Sequence, residues 1–104
     1  MAATFRVEIT PTAERDIEAA WDYIAQEGPE SATAFIDALE RQFDTLESFP
    51  ARCPLISENE ILGTDFRHLL HGNYRTIFRI TGKTVVILRV IHGARLLDES
   101  VFDG

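Results

Sequence analysis

Apolar residues recur at every second position between Thr4 and Thr10, where Phe5, Val7 and Ile9 alternate with Arg6 and Glu8. That period belongs to a strand with one buried face. At Thr10-Pro11 it gives way to a helical one. Threonine is a side-chain N-cap, proline suits the first helical position, and Glu14 and Asp16 put negative charge near the positive end of the helix dipole. Ile17, Ala20, Trp21 and Ile24 then fall on one stripe, so Trp21 is expected in the core. Gly28 is expected to end this helix in a left-handed conformation, with Pro29 opening a second helix directly after it. The second helix carries Phe35, Leu39, Gln42, Phe43 and Leu46 along one side and must stop before Pro50. Helices joined this closely form an antiparallel hairpin, and neither can bury its stripe without a sheet or a partner to lie against.

Between Pro50 and Gly63 no period survives, and two prolines with Ser57, Glu58 and Asn59 mark a loop. Strand patterns follow at 66–70, 74–80 and 84–92, separated by the glycine turns at His71-Gly72-Asn73 and Thr81-Gly82-Lys83. Three strands joined by short turns make an antiparallel meander. In the last of them Val85, Val86, Ile87, Leu88, Val90 and Ile91 leave almost no polar alternation, which identifies a central strand covered on both faces. The chain is therefore expected to be α+β, with a strand, a helical hairpin and then the meander, the hairpin packing on a twisted, mostly antiparallel sheet.

At 104 residues and 45% hydrophobic content the chain supports one core, hence a single domain over residues 1–104. Its apolar runs fall far short of a membrane span, and no secretory leader pattern opens it, so a soluble, cytoplasmic protein is expected. Cys53 is the only cysteine and offers neither a disulfide nor a usual zinc site. The net charge of −7 argues against a surface that grips nucleic acid throughout. The charge is also divided. Residues 1–62 hold four Arg against thirteen Asp and Glu, whereas residues 63–95 hold five Arg and one Lys against Asp65 alone. Such a division allows two surfaces with different partners, although acidic helix faces often serve solubility alone.

Five segments in order, TAERDIEAAWDYI (12–24), GPESATAFIDAL (28–39), LESFPARCP (46–54), FRHLLHGNYRTIFRI (66–80) and VVILRVIHGAR (85–95), resemble the toxins of the RelE/ParE superfamily of type II toxin-antitoxin systems, on the ParE side. The resemblance spans almost the whole chain. It implies a toxin restrained by a cognate antitoxin protein, with DNA gyrase as the target in the ParE branch and the ribosome, where messenger RNA is cut, in the RelE branch. It implies no cofactor, no membrane partner and no sequence-specific DNA binding by this subunit alone.

The residues favour the ParE branch. RNA cleavage at a 2'-hydroxyl needs an acid, a base and cations for the phosphate. This chain has one Lys and no Tyr after Tyr74, and its C-terminal aromatic, Phe102, has no proton to give. His92 with Arg89 and Arg95 is the remaining candidate for a nuclease centre, as an acid and phosphate clamp. Alternation puts Arg75 and Arg79 on one strand face with Ile77, the face expected nearer solvent. Arg67, Arg75, Arg79 and Arg95 are thus candidates for contacting a target or antitoxin, or else the ordinary outer side of a sheet, with Arg75 or Arg79 bonded to carboxylates of the hairpin. Trp21 and Tyr23 are candidate partner contacts of the aromatic kind found at interface hot spots. His68 and His71 straddle a strand end without further ligands at zinc spacing, so no metal site is expected. Two alternatives stand beside the gyrase inhibitor: a ribosome-dependent mRNA endonuclease, and a non-toxic, toxin-like binding partner.

Overall fold

The computed structural model describes residues 4–99 and 101. Its elements in order are β1 (Arg6–Ile9), α1 (Pro11–Ala25), α2 (Pro29–Thr45), a 3-10 turn (Pro50–Arg52), α3 (Asn59–Leu62), β2 (Arg67–His71), β3 (Tyr74–Thr81) and β4 (Thr84–His92). The strands form one sheet in the order β1-β4-β3-β2. β2, β3 and β4 make the expected antiparallel meander, and β1 joins β4 in parallel. β4 is thereby an interior strand, as its unbroken apolar run predicts.

Thr10 starts α1 as its type suggests. Its Oγ1 accepts a hydrogen bond from the Ala13 amide at 3.1 Å and donates to the Leu88 carbonyl at 3.2 Å, so the cap also fastens the helix start to β4. The junction with α2 differs from expectation. α1 ends at Gln26 in a right-handed conformation, and Gly28 is extended, with φ 162° and ψ 140°. The cause is Pro29, whose ring pushes the preceding residue toward extended backbone. The left-handed turn occurs instead after α2, at Phe49 (φ 47°, ψ 54°). There the Arg52 guanidinium donates to the carbonyls of Ser48 (2.8 Å), Phe49 (3.1 Å) and Thr45 (3.3 Å). A helix C-terminus leaves such carbonyls without partners, and a cation there also suits the dipole.

Two apolar cores lie on opposite faces of the sheet. The larger joins Ala13 and Ala20 of α1 and Phe35, Leu39 and Phe43 of α2 to Phe78, Val85, Ile87 and Val90 of the sheet. The smaller holds Ile77, Leu88 and Ile91 beneath Ile56 and Phe66 from the loop side and Leu97 and Val101 from the tail. Both faces of β3 and β4 are therefore covered, and the Arg75 and Ile77 face is not the solvent side expected from alternation. The segment 50–63 is correspondingly not a featureless loop: it forms two short helical turns and contributes Cys53 to the larger core and Ile56 and Leu62 to the smaller.

A bulge lies between these cores. Ile77 opposes Arg89 while Phe78 opposes Ile87, which leaves Leu88 as an extra residue in β4. Trp21 is also placed differently from expectation, being 37% exposed. The inward line of α1 runs through the small residues Ala13 and Ala20, which let the helix approach the sheet closely and leave the indole beside Ala20 at the margin. Among the described residues, no helix is long and apolar enough to cross a membrane.

Candidate functional site

The smaller core is closed by a buried ion pair. Arg75 donates through Nη1 to Glu58 Oε1 at 3.2 Å and through Nη2 to Glu58 Oε2, and Nη2 also donates to the Arg95 carbonyl at 2.8 Å. The Leu97 amide donates to Glu58 Oε2 at 2.9 Å. Both side chains are 7% exposed. The guanidinium hydrogen bonds, aided by the Leu97 amide, outweigh desolvation and hold the Glu58 carboxyl at about 2. Glu58 thus ties strand, loop and tail together, and Arg75 is already committed to an internal carboxylate.

Arg89 is committed too. Its Nε and Nη2 donate to Asp16 Oδ2 and Oδ1 at 2.6 and 2.9 Å, and the Val90 amide donates to Oδ2 at 3.0 Å. The hydrogen bonds it donates to Asp16 push the Arg89 pKa further up, against desolvation. This fork lies against α1. His92 is exposed at the end of β4, its Nδ1 accepting from the Ala94 amide at 3.2 Å, and Arg95 is exposed in the following turn. Arg89, His92 and Arg95 accordingly have separate surroundings in this structure.

The remaining candidates are dispersed. Arg67, half-buried, donates to the Cys53 carbonyl at 2.6 Å. Arg79 donates to Thr81 Oγ1 at 3.0 Å and lines an open cleft of about 470 Å³ with Thr10, Thr64, Asp65 and Phe66. The buried Cys53 thiol is pushed up by desolvation and is poorly disposed to react. His68 is lowered by burial and by Arg75, and its Nδ1 has no hydrogen-bond partner. Its near neighbour in sequence, His71, packs instead on the Phe35 ring at 6.0 Å between centroids. Phe102 lies outside the described residues.

A second cleft, about 500 Å³, opens where the hairpin meets the ends of β2, β3 and β4, and Tyr23, Phe35, His71, Tyr74, His92 and Glu27 are among its lining. Strand register explains the gathering. Tyr74, first in β3, stands opposite His71 across one pairing and opposite His92 across the other, so three rings form a row over the sheet end. Phe35 of α2 meets Tyr74 at 5.0 Å and 57°, and Tyr74 meets His92 at 5.9 Å and 66°. Desolvation, with Tyr23 nearby, pushes the Tyr74 phenol up, so it keeps its proton. Tyr23 is 66% exposed at the rim. Sequence reasoning found Tyr23 and His92 separately but missed Tyr74, His71 and Glu27 as their neighbours. The two-residue turn at Gly72-Asn73 was the available signal, because it places His71 opposite Tyr74.

The family described as the ParE toxin of the type II toxin-antitoxin system, parDE, matches residues 7–97. Among solved structures the chain is similar to the chromosomal ParDE toxin-antitoxin system from P. aeruginosa, at 23% identity and a TM-score of 0.70, over 88% of this chain and 98% of that one. It is also similar to the RelBE2 toxin-antitoxin complex from Mycobacterium tuberculosis, at 31% identity and a TM-score of 0.57, over 89% and 95%. No curated protein sequence matches it.

Proposed function

The chain belongs to the ParE toxin family of type II toxin-antitoxin systems, and from that premise we propose that it inhibits DNA gyrase through protein contacts, without itself being an enzyme, and is neutralised by a cognate antitoxin. One observation carries the choice of target class. Arg75 and Arg89, two of the five guanidinium groups on the meander side of the chain, are spent on Glu58 and Asp16 inside the fold. A phosphate clamp assembled from Arg89, His92 and Arg95 would have to break a pair whose side chains are only 10% and 14% exposed. Leaving a buried carboxylate without its partner is strongly unfavourable. Protein recognition needs no such rearrangement, since Tyr23, Trp21 and Arg95 are exposed as they stand.

Purified toxin added to gyrase should block supercoiling of relaxed plasmid on a gel, and prior addition of the antitoxin encoded beside it should restore activity. Unchanged supercoiling at saturating toxin removes the proposal. A ribosome-dependent endonuclease is the second reading, supported by the gathering of His71, Tyr74 and His92 in one cleft, since imidazoles and phenols are groups that transfer protons. Codon-specific cuts in a translating extract that vanish with His92→Ala would establish it in place of gyrase inhibition.

A further inference from the structure

We propose that the cleft between the hairpin and the sheet end is a receptor for the guanidinium or ammonium group of a basic protein segment. Its walls are the rings of Tyr23, Phe35, Tyr74, His71 and His92, and among the described residues Glu27 is the one carboxylate of a lining that includes no Lys or Arg. An aromatic face is negative and an aromatic edge positive, so rings set at an angle present a corner that attracts a cation placed over the faces. Phe35 and Tyr74 are set that way, tilted by 57° at 5.0 Å. No ion pair among the described residues uses Glu27.

Three occupants compete for such a cleft, and the charges separate them. An anion would meet Glu27 and no permanent cation. A purely apolar anchor would bury the carboxylate and the phenol oxygens without partners, which costs free energy. A cationic side chain satisfies the carboxylate and uses the ring faces, and a guanidinium can also stack on them. The surroundings add to this. Leaving aside Asp16, which is paired with Arg89, α1 holds Glu14, Glu18 and Asp22 against Arg15, and α2 holds Glu30, Asp37, Glu40 and Asp44 against Arg41, so both helices favour a basic chain crossing them. The inference concerns a protein segment and does not depend on gyrase being the target, because it rests on the lining of the cleft and the charge of the helices around it.

The test uses the intact toxin and three probes: a short capped peptide with two arginines among alanines, the same peptide with citrulline in place of arginine, and adenosine monophosphate. The arginine peptide should shift the ring resonances of Tyr23, Tyr74 and His92 in a saturable way, with the citrulline peptide binding about tenfold more weakly or worse. Glu27→Gln, at an exposed position that leaves the fold intact, should weaken the arginine peptide by about fivefold to tenfold and leave the citrulline peptide unchanged. Equal binding of the two peptides, unaltered binding to Glu27→Gln, ring shifts produced by the nucleotide but not by arginine, or no ring shift up to about 50 mM peptide would each overturn the proposal.

Discussion

The two faces of the sheet are covered by different kinds of structure, and each is held accordingly. On the hairpin face, two helices satisfy their own backbone groups and contribute a periodic apolar stripe, so burial alone holds most of the contact, with Asp16 and Arg89 closing one margin. On the opposite face the cover is mostly irregular chain. It meets the sheet edge in an isolated antiparallel bridge at Leu55 and Arg67, with the Ile56 amide donating to the Phe66 carbonyl at 3.0 Å and the His68 amide to the Pro54 carbonyl at 3.1 Å. Its other backbone polar groups have no ladder to join. Side chains supply the missing partners. Asn59 Oδ1 accepts from the Phe66 amide at 3.0 Å while its Nδ2 donates to the Phe66 carbonyl at 2.9 Å, Glu58 receives the Leu97 amide, and Arg75 donates to the Arg95 carbonyl. A buried polar network is thus the cost of covering a sheet with loop and tail.

The sharpest way to break the contrast is to remove volume on the hairpin face. Phe78 is fully buried there, and Phe78→Ala should lower stability by about 4 kcal/mol, seen as a large fall in the midpoint of urea unfolding, because the cavity lies beneath two rigid helices that cannot collapse into it. A loss below about 1 kcal/mol would show that the hairpin packs far more loosely than this.

Second in size is the polar network on the other face. Glu58→Ala strands the Arg75 guanidinium in the interior and should cost about 3 kcal/mol, while amide exchange quickens first in residues 93–99. The same group sets an acid limit. Glu58 is held at about 2 when folded against 4.5 as a free side chain, so the unfolded chain takes up this proton more readily. Its contribution is complete above pH 4.5, declines as the pH falls through that window, and is gone below about 2. Glu58→Gln should flatten the wild-type loss of stability over this range in acid titration of the unfolding midpoint; an unchanged slope would mean other carboxylates dominate.

A smaller effect tests whether the tail is a separable cover. Leu97 is 5% exposed in the smaller core, and Leu97→Ala should cost about 2 kcal/mol by hydrogen exchange of the tail amides, at the low end for a core leucine because the tail can adjust. Global loss as large as that of Phe78→Ala would place the tail within the main cooperative unit. The smallest expected change lies at the link between the two covers. Phe49 is left-handed and 71% exposed, so Phe49→Asn should raise stability by about 0.5 kcal/mol in thermal unfolding, since asparagine tolerates that conformation better and little packing is lost.

Legibility followed the same division. The helix starts at Pro11 and Pro29, the three meander strands and the interior place of β4 were readable because each is set by local spacing and capping. The α+β class and the RelE/ParE resemblance came from that ordered pattern. Trp21 was misplaced because which side of a stripe touches the sheet depends on how closely the helix can approach, and that is decided by Ala13 and Ala20 jointly. The basic face was misjudged because alternation separates the two faces of a strand without revealing what covers either one.

What the sequence determined by itself, then, is everything a neighbour or a short repeat can enforce: the caps, the periods, the turns and the family pattern. Only the tertiary structure decided the fate of the arginines. Arg75 meets Glu58 across 17 positions and Arg89 meets Asp16 across 73, pairings that no local rule anticipates. The same holds for the cleft, where Tyr23 and Phe35 reach the row of His71, Tyr74 and His92 only because the hairpin docks on that end of the sheet. Long-range contacts depend on the docking of whole elements, and docking is fixed by the sum of many weak apolar contacts over both faces rather than by any one residue.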